Sequence, residues 1–528
     1  MTETTDPIAH NGAQALIRTL VACSVDTCFT NPGTSEMHFV AALDAVPQMR
    51  GVLGLFEGVA TGAADGYARM AGRPAATLLH LGPGLGNGLA NLHNARKGHV
   101  PVVNVVGDHA TYHKQYDAQL ESDIETVARN VSAWVRRSKA TAEVGTDAAE
   151  TVAAAVGPPG QVATLILPAD VSWSPGGVVA EPAVPTPGPA PPDADVVDAV
   201  AKALRSGEPV GLLLGGTALR EPGLVAASRL ASTTGARLVA ETFPTRLERG
   251  AGLPPIDRLA YLAEFASAQL DGLRHLVVVD TKAPVSFFAY PGRDSYLVPD
   301  GCRVHVLAAP GVDAAGALEA LAELVGAPRG AATRQPADRP DLPTGPLTAE
   351  VVARALGALL PEGAIVSDEG NTSSLFAPAL TAGAPRHDWL TLTGGAIGQG
   401  MPVATGAAVA CPDRKVVSLE ADGSALYTMQ ALWTQAREGL DVVTIVFNNR
   451  SYAVLNMELN RVGAEAAGPR ARDLLDLSRP DIDFVAISQG LGVPASRATT
   501  ADELVDQLSR ALAEPGPALV EAMVPSIM

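Results

Sequence analysis

The sequence of 528 residues is long enough for about three or four domains of roughly 150 residues each. It carries 38 Lys and Arg against 56 Asp and Glu, and its net charge is −18. No Lys/Arg-rich stretch supplies the basic surface that nucleic acid requires, so we exclude a nucleic-acid partner. With 47% hydrophobic and only 4% aromatic residues, the composition predicts a packed α/β protein and excludes a disordered one.

The cysteines and the apolar runs indicate the compartment. Cys23, Cys28, Cys302 and Cys411 are too few and too scattered for a disulfide framework or a CxxC metal site, which favours free thiols in a reducing environment. Residues 1–14 lack the basic and apolar regions of a signal peptide, and no uninterrupted apolar run approaches the roughly 18 residues that span a bilayer. We therefore expect a cytoplasmic protein with no membrane partner.

Two proline-rich stretches divide the chain. Residues 174–193 and 326–346 show neither helical nor strand periodicity, and we interpret them as linkers. They predict an N-terminal domain over 1–175, a central domain over 190–328 and a C-terminal domain over 345–528. Within each, short β-branched or Leu-rich runs alternate with Ala-rich amphipathic stretches, which is typical of βαβ units. The predicted fold class is α/β, with three doubly wound parallel-sheet domains.

Polar residues follow the apolar runs of the first domain, at the strand ends where parallel sheets bind ligands. Glu57 begins an Ala/Gly-rich stretch, His80 ends the run ATLLH, and His109 and His113 follow VPVVNVVG. Each also has an ordinary explanation. An acid at a helix N-terminus is stabilised by about 0.3–1 kcal/mol without any catalytic role, and such histidines are often structural or lie in surface loops. The glycines of GPGLGNG do not close a G-x-G-x-x-G register, which argues against a nicotinamide enzyme.

The central domain offers fewer candidates. LLGGTA and VVDTKAP are its main polar strand ends, so we expect its role to be chiefly architectural.

Asp422 and Asn449 end two apolar runs of the third domain and lie 27 positions apart. A right-handed βαβ crossover of about 30 residues brings the carboxyl ends of two parallel strands to one edge of the sheet, so these residues can meet. A carboxylate and an amide oxygen suit Mg²⁺, and the following helix N-terminus, with Gly423 and Ser424, favours a diphosphate. The alternative is that Asp422 merely caps a helix and that the asparagine pair forms a turn.

The spacing coincides with a "GDG…NN" signature, and DGSALYTMQALWTQA resembles benzoylformate decarboxylase closely. The chain therefore resembles the thiamine-diphosphate-dependent family of benzoylformate decarboxylase and the acetolactate synthase large subunit. The resemblance implies Mg²⁺ ligands from Asp422, the Asn449 side chain and the Ser451 carbonyl. It also implies residues near the diphosphate, namely Gly370, Asn371, Thr372, Gly423, Ser424 and Tyr452. Ala421 replaces the first glycine of the motif, which tightens the turn without removing a ligand.

The resemblance also assigns the groups around the two cofactor rings. Glu57 would hydrogen-bond the pyrimidine ring, the Gly395 carbonyl would accept from its amino group, and Ile397 would wedge between the pyrimidine and thiazolium rings. In the family, the residues corresponding to Glu57 and Asp422 come together across a subunit interface. A homodimer or a dimer of dimers, that is, a homotetramer, follows from the resemblance.

Four residues of the first domain are candidates for substrate and proton contacts by resemblance: Thr34, His80, His109 and His113. His80 matches a histidine of benzoylformate decarboxylase, and Thr34 matches its serine that contacts the substrate carboxylate. The second catalytic histidine of that enzyme has no counterpart, because SFFAYPGRDSY offers Tyr290 and Pro291 there. Acetolactate synthases also use an arginine and a tryptophan beyond the asparagine pair. Here SYAVLNMELNRVG has no tryptophan and offers Arg461 as a candidate for the arginine.

The expected activity is a thiamine-diphosphate- and Mg²⁺-dependent 2-oxo acid decarboxylase or carboligase that works through a C2 ylid and an enamine. The enamine would be protonated to an aldehyde or added to a second carbonyl, either an aldehyde or a second oxo acid. One alternative is an acetolactate synthase large-subunit-type carboligase, and another is a catalytically silent paralogue that binds the cofactor. Acetolactate synthases carry FAD in the central domain. FAD bound to the central domain of this chain is a less favoured alternative.

Overall fold

The computed structural model describes residues 10–182, 188–464 and 468–526. Most of residues 1–14 and residues 183–187 of the first predicted linker lie outside this range. The described residues form two compact units, one holding those before residue 188 together with 394–411, and one holding the remainder. The predicted α/β class is confirmed, because three largely parallel sheets organise the chain. The predicted domain boundaries remain predictions.

The first unit is built on a six-stranded parallel sheet with the order β3-β2-β4-β5-β7-β6. Strands β5 and β7 are buried along their whole length, as expected of parallel strands covered on both faces. A two-stranded antiparallel ribbon joins β1 to β8. The strands are β1 (His10–Asn11), β2 (Thr27–Asn31), β3 (Arg50–Leu53), β4 (Ala75–Leu79), β5 (Val102–Asp108), β6 (Trp134–Arg137), β7 (Val162–Pro168) and β8 (Pro175–Gly177).

Helices of this unit cover both faces of the sheet, and the core contains Leu16, Ile17, Val103 and Leu165. They are α1 (Gly12–Ala22), α2 (Met37–Ala45), α3 (Glu57–Ala71), α4 (Leu81–Lys97), α5 (Ile124–Ala128), α6 (Val144–Val156) and α7 (Ala169–Trp173), with short 3-10 helices at Thr34–Glu36, Lys114–Tyr116 and Thr141–Glu143.

The second unit begins with a five-stranded parallel sheet of order β12-β10-β9-β13-β14. Its strands are β9 (Val210–Leu214), β10 (Arg237–Ala240), β12 (Asp257–Arg258), β13 (His275–Val279) and β14 (Arg303–Ala308); the short strand β11 (Leu247–Arg249) belongs to the next sheet. Its helices are α8 (Ala194–Leu204), α9 (Glu221–Thr234), α10 (Ala263–Leu270) and α11 (Ala314–Leu324), with 3-10 helices at Gly216–Leu219 and Arg329–Ala331.

A seven-stranded sheet completes the second unit, in the order β11-β16-β15-β17-β18-β20-β19. It is parallel except for the edge strand β11, which pairs antiparallel with β16 although it comes from the region between the two linkers. Mixed sheets with one antiparallel edge strand are common in α/β proteins. The strands are β15 (Ile365–Glu369), β16 (His387–Thr391), β17 (Val416–Ala421), β18 (Val442–Asn448), β19 (Ala495–Ala498) and β20 (Ala518–Met523).

The helices of the last third alternate with these strands, and α14 belongs to the first unit. They are α12 (Ala349–Leu359), α13 (Ala377–Leu380), α14 (Gly400–Ala410), α15 (Asp422–Ala425), α16 (Ala431–Glu438), α17 (Ala453–Arg461), α18 (Pro469–Asp473), α19 (Phe484–Gly490) and α20 (Ala501–Ala513).

Among the described helices, none has both the length and the apolar character that a bilayer crossing requires. The four cysteines, all within the described ranges, form no disulfide, as expected. The cytoplasmic location stays a prediction.

Candidate active site

Asp422 and Asn449 meet at one edge of the seven-stranded sheet. Strands β17 and β18 pair in parallel with Ala421 opposite Phe447, so both strands end together. The Asp422 Oδ2 atom accepts hydrogen bonds from the backbone amides of Asn449 at 3.0 Å and Arg450 at 2.6 Å. The predicted meeting is confirmed. The alternative is wrong for Asp422, because Ala421 is the N-cap residue and Asp422 is the first residue of α15. The asparagine pair does turn the chain, since Asn448 Oδ1 accepts from the Arg450 amide at 3.2 Å and Asn449 Oδ1 accepts from the Ser451 amide at 2.9 Å.

The oxygens at this edge form a donor set for a hard cation. Asp422 is 1% exposed; its burial raises the pKa of the carboxyl group, and the surrounding backbone amides oppose that shift. The Ser451 carbonyl accepts one bond, from the Ala453 amide at 2.8 Å, and keeps a second lone pair. One carboxylate, one amide oxygen and one carbonyl are ligands that Mg²⁺ binds together with phosphate and water. No cluster of three or more His, Cys, Asp or Glu side chains suited to a metal occurs in the described ranges.

The predicted diphosphate residues lie at the ends of three neighbouring strands. Strand β15 pairs in parallel with β17, which brings Gly370 and Asn371 to the edge that carries Asp422. Asn371 has a φ of +50° and Arg450 a φ of +59°, a left-handed backbone that non-glycine residues seldom adopt and that clusters at functional sites. Ala421 is extended, with φ −81° and ψ 150°, so its methyl group introduces no backbone strain.

Gly423 and Ser424 complete this edge. A side chain at position 423 would collide with the Tyr452 ring, whose Cδ1 atom would be 2.8 Å from the new Cβ. The Ser424 hydroxyl donates to the Ala421 carbonyl at 3.1 Å. Gly423 therefore lets the Tyr452 ring pack against the start of α15, and the structure brings Gly423, Ser424 and Tyr452 together as the resemblance implied. Their role in binding diphosphate stays a prediction.

Two buried glutamates, which the sequence analysis did not single out, lie just inside this edge. Glu369 and Glu420 face each other on paired strands and are 2% and 1% exposed. Burial raises the pKa of the Glu420 carboxyl group well above its usual value, and the charge of Glu369 raises it further. The Ser418 hydroxyl donates to Glu420 at 2.7 Å. Acids within apolar strand runs carried no signal of this pairing, because it depends on the strand register.

Glu57 begins α3 in the first unit, as predicted, and is 6% exposed. Its Oε2 atom accepts a hydrogen bond from Asn87 at 3.0 Å, and its Oε1 atom accepts none from the described residues. A Cβ at Gly84 would lie 3.0 Å from Glu57 Oε1 and 3.3 Å from the His80 Cβ, so Glu57 and His80 border the same glycine. A buried carboxylate with one oxygen unpaired fits a ligand that donates a hydrogen bond to it.

His80 directly follows β4 and is held by an acid that the sequence analysis missed. The His80 Nδ1 atom lies 2.8 Å from Oε2 of Glu36 and 3.4 Å from the Ser35 hydroxyl. Glu36 is 1% exposed and also accepts from the Gly33 amide at 2.8 Å. A histidine anchored through one ring nitrogen keeps the other for proton transfer. Thr34 is exposed on the adjoining 3-10 helix.

His109 follows β5, the strand next to β4, so His80 and His109 stand at neighbouring strand ends. The rings of His109 and His113 are 5.2 Å apart, and the His109 Nε2 atom is buried without a hydrogen-bond partner among the described residues. Burial lowers the pKa of His109, Glu121 opposes this shift, and the charges of His113 and His80 add to it. The structure thus groups the three histidines, and their catalytic roles stay predictions.

The loop before α14 is fixed to α3 and α4 by amide side chains that the sequence analysis missed. Asn94 donates to the Ala396 carbonyl at 2.8 Å, and Asn91 donates to the Gly398 carbonyl at 3.1 Å. Gln399 donates to Asp65 at 2.6 Å. Within this loop, Gly395 and Gly398 have φ values of +77° and +92°, and Ile397 is half-buried. Helical asparagines carry no sequence signal of such contacts.

Arg461 ends α17 and contacts the central region of the second unit. Its guanidinium lies 4.7 Å from the centre of the Tyr290 ring and donates to Glu264 at 3.0 Å. Burial raises the pKa of Tyr290, and nearby Glu458 raises it further. Arg461 therefore forms an ion pair with Glu264 and a cation–π contact with the Tyr290 ring.

Models of two domain families match the chain. Residues 10–128 match the N-terminal TPP binding domain of thiamine pyrophosphate enzymes, and residues 368–522 match the C-terminal TPP binding domain. The chain belongs to the thiamine pyrophosphate enzyme family, and it is a thiamine-diphosphate-dependent enzyme of the lyase or transferase type.

Two relatives cover nearly the whole chain. One, from Mycobacterium tuberculosis, is named "Putative acetolactate synthase large subunit IlvX"; it is 63% identical over 519 residues, which are 98% of this chain and 100% of the relative. The other is benzoylformate decarboxylase from Pseudomonas aeruginosa, 32% identical, covering 95% of this chain and 96% of the relative. These are the two enzymes that the sequence resembled, so the predicted family is confirmed.

Solved structures agree with the fold. A thiamine diphosphate-dependent 4-hydroxybenzoylformate decarboxylase from Rhodococcus jostii superposes with a TM-score of 0.83 at 24% identity, over 98% of this chain and 99% of the other. Benzoylformate decarboxylase from Polynucleobacter necessarius gives a TM-score of 0.80 at 23% identity, over 98% and 99%. At these identities the likeness establishes the fold alone.

Proposed function

We propose that the protein is a Mg²⁺-dependent 2-oxo acid decarboxylase that uses thiamine diphosphate and that also has carboligase capacity. The observation that carries the proposal is the pairing of Asp422 with Asn449 at the ends of β17 and β18, in a chain that also buries Glu57 with one carboxylate oxygen unpaired within the part that the structure describes. The first feature suits a metal-bound diphosphate, and the second suits a hydrogen-bonding ring of the same cofactor.

The residues at hand fit the cofactor in two separate parts. Asp422, Asn449 and Ser451 would hold Mg²⁺, and the small and hydroxyl-bearing residues beside them would hold the diphosphate: Gly370, Asn371, Thr372, Gly423, Ser424 and Tyr452. Glu57, the Gly395 carbonyl and Ile397 would hold the rings. When bound, thiamine diphosphate supplies a nucleophilic carbon and an electron sink for loss of CO₂ from a 2-oxo acid.

The histidines would move the protons. Glu36 anchors the His80 Nδ1 atom, so the Nε2 atom of His80 is the one that would give or take a proton at the substrate carbon. His109 carries a buried nitrogen that has no hydrogen-bond partner in the described ranges and would serve as a second proton-transfer group, with His113 beside it. Thr34 would contact the substrate carboxylate through its hydroxyl group.

Release of an aldehyde is favoured over transfer to a second oxo acid. An enzyme of the acetolactate type must recognise the carboxylate of its acceptor, and a free guanidinium suits that task. Here Arg461 is already paired with Glu264 and stacked on Tyr290, and the Glu458 carboxylate lies 3.5 Å from it. The Glu458 carboxylate at this position disfavours a second oxo acid as the acceptor, so release of the aldehyde is favoured, and in any carboligation an uncharged aldehyde is the better acceptor.

An acetolactate synthase-type carboligase is the second candidate, because the relative at 63% identity carries that name. A catalytically silent paralogue is less well supported, since Glu57, Asp422 and Asn449 are all present. Tyr290 lies at the position predicted for the second histidine of benzoylformate decarboxylase, so the proposal does not specify the side chain of the 2-oxo acid substrate. We further propose a homodimer or dimer of dimers, because the resemblance assigns Glu57 and Asp422 of one site to different subunits.

The test is CO₂ release by the purified protein with thiamine diphosphate and Mg²⁺, using pyruvate, 2-oxobutyrate, benzoylformate and oxalyl-CoA as separate substrates. The organic product is identified in each case. We expect CO₂ with the matching aldehyde from at least one 2-oxo acid, and none from Glu57→Gln. Acetolactate as the main product from pyruvate would instead support the second candidate, and no turnover in the presence of bound cofactor would support the silent paralogue.

A further inference from the structure

The five-stranded central sheet has the topology of a dinucleotide-binding fold. The chain runs from β9 to β10 on one side of β9, and β13 then pairs on the other side, so the strand order reverses between β9 and β13. In open parallel sheets a dinucleotide binds at this reversal, with its diphosphate on the backbone amides that follow the first strand. The corresponding loop here is Gly215, Gly216 and Thr217, which follows β9.

Side chains of the same sheet already occupy the donors of this loop. The amide and the hydroxyl of Thr217 both donate to Asp280, at 2.7 and 2.6 Å. The Gly216 amide donates to Glu241 at 3.1 Å. Asp280 follows β13 and Glu241 follows β10, so the two strands that flank β9 each supply one carboxylate to the position that a diphosphate would need.

The space above the loop is filled as well. A Cβ at Gly215 would lie 2.6 Å from the Thr281 Cβ and 2.7 Å from the Glu241 Cδ, and a Cβ at Gly216 would lie 2.6 Å from the Asp280 Cγ. The Thr281 hydroxyl donates to the second oxygen of Glu241 at 2.7 Å, which ties the loops after β10 and β13 together. Not even a methyl group fits between the loop and these side chains.

Two cationic side chains, Lys282 and Arg220, lie near the loop. Lys282 is exposed beside Glu241, and the Arg220 guanidinium donates to the Arg246 carbonyl. The charges of Asp280 and Glu248 also act on Arg220. A diphosphate at the loop would therefore have to displace two carboxylates from their hydrogen bonds before either cation could reach it.

We infer that the central domain takes no flavin or other dinucleotide, because Glu241 and Asp280 fill its diphosphate site from within. Members of the acetolactate synthase group carry FAD in this domain, and the residues present here do not fit that cofactor. The three-loop contact instead closes the crevice and holds β9, β10 and β13 in register at their carboxyl ends. The 2-oxo acid reaction of this chain then proceeds without FAD.

The inference is tested on the full-length protein loaded with thiamine diphosphate and Mg²⁺. The protein is incubated separately with excess FAD, NAD and ADP, which share a diphosphate, and is then passed through a desalting column. We expect none of the three to remain with the protein, and CO₂ release to be the same with and without added FAD. Stoichiometric retention of FAD, or activity that requires it, would overturn the inference. Thiamine diphosphate binding is measured in the same samples, so failure of the proposed function is seen separately.

A variant identifies the group responsible. Asp280→Ala frees the Thr217 amide and hydroxyl and removes one charge, so we expect measurable ADP binding where the wild type has none. Asp271→Ala removes an exposed acid of the same domain and is the matched control. Circular dichroism establishes that each variant is folded. If Asp280→Ala binds no more ADP than the wild type does, the filled-site explanation is wrong.

Discussion

The Asp422 carboxylate accepts a hydrogen bond from the Asn449 backbone amide at 3.0 Å, across two neighbouring parallel strands and 27 residues of intervening chain. This contact fixes the ends of β17 and β18 relative to each other. The Asn449 side chain accepts from the Ser451 amide at 2.9 Å and donates to the Ser373 hydroxyl at 3.4 Å. The remaining oxygens at this edge are the Ser451 carbonyl and the hydroxyl groups of the neighbouring loops, which is the chemistry that a metal-bound diphosphate needs.

Replacing Glu57 by Gln should separate binding from catalysis. The amide keeps the shape and the contact with Asn87 but cannot act as a carboxylate toward the cofactor ring. We expect thiamine diphosphate to bind with nearly unchanged affinity and CO₂ release to fall by about 10²–10⁴-fold, the usual contribution of a general acid or base. Calorimetric titration and a CO₂ assay measure the two quantities. Equal activity in Glu57→Gln and the wild type would remove Glu57 from the reaction.

Glu36→Gln tests the acid that anchors His80. The substitution keeps the fold of the loop while weakening the 2.8 Å contact, so we expect kcat to fall and KM and cofactor affinity to change little. Glu143→Gln, at an exposed position of the same unit, should leave all three unchanged. The decisive comparison uses a His80→Ala background, where Glu36→Gln should cost no further activity. An additive loss there would show that Glu36 does not act through His80.

His80 and Glu36 illustrate what the sequence could and could not predict. Four of the predicted site residues directly follow an apolar run: Asp422, Asn449, Glu57 and His80. In a parallel sheet such positions lie at the ligand-binding edge of that sheet, so the sequence predicted them. Glu36 was missed although it lies five residues beyond β2, because nothing in TNPGTSE shows that its side chain turns back into the protein. Its contact with His80 depends on which strands are neighbours.

The same reason explains the other differences. Asn91 and Asn94 lie within a helix, and their partners are about 300 residues away. Strand β11 joins the C-terminal sheet, because three residues of edge strand do not encode which sheet they pair with. Asp280 was visible as a polar strand end in VVDTKAP, whereas Glu241 was not singled out. Only the folded structure reveals that both carboxylates accept hydrogen bonds from the loop after β9.

Breaking the buried ion pair within α3, whose acid also holds the loop before α14, should destabilise the first unit. Asp65 and Arg69 form a bidentate pair at 2.7 and 2.8 Å with fully buried side chains, and Asp65 also accepts from Gln399. Removal of one partner from a buried pair costs about 3–5 kcal/mol. Asp65→Ala should therefore unfold at lower urea and lose cofactor.

Asp26→Ala provides the control for that experiment. Asp26 pairs with Arg73 at 2.7 Å, but both side chains are about two-fifths exposed, at 41% and 39%. Pairs of this kind contribute about 0–1 kcal/mol, so the urea midpoint should move little. Circular dichroism measures the urea midpoints. If the midpoint falls by a similar amount in the two variants, the assigned difference between the buried and the exposed pair is wrong.

Glu420→Gln should be more stable than the wild type at neutral pH, and the difference should shrink as the pH falls. Burial and the charge of Glu369 raise the pKa of the Glu420 carboxyl group in the folded state, so the folded protein binds this proton more tightly than the unfolded chain does. Stability is then lost as the pH rises from the unfolded pKa of about 4.5 through the raised folded pKa. Glutamine carries no charge and can still accept from Ser418. Urea midpoints that differ equally at acidic and neutral pH would contradict this account.

The most direct test of the central claim is calorimetric titration of thiamine diphosphate into metal-free protein, with and without Mg²⁺, for the wild type and for Asp422→Asn. We expect tight binding by the wild type only when Mg²⁺ is present. For the variant we expect a loss beyond about 100-fold, the upper end of what removal of a mere supporting group around a metal costs. Asp502→Asn, at an exposed acid of the same sheet region, should bind like the wild type. Tight binding without Mg²⁺, or unchanged binding by folded Asp422→Asn, would contradict a metal-bridged diphosphate at the ends of β17 and β18.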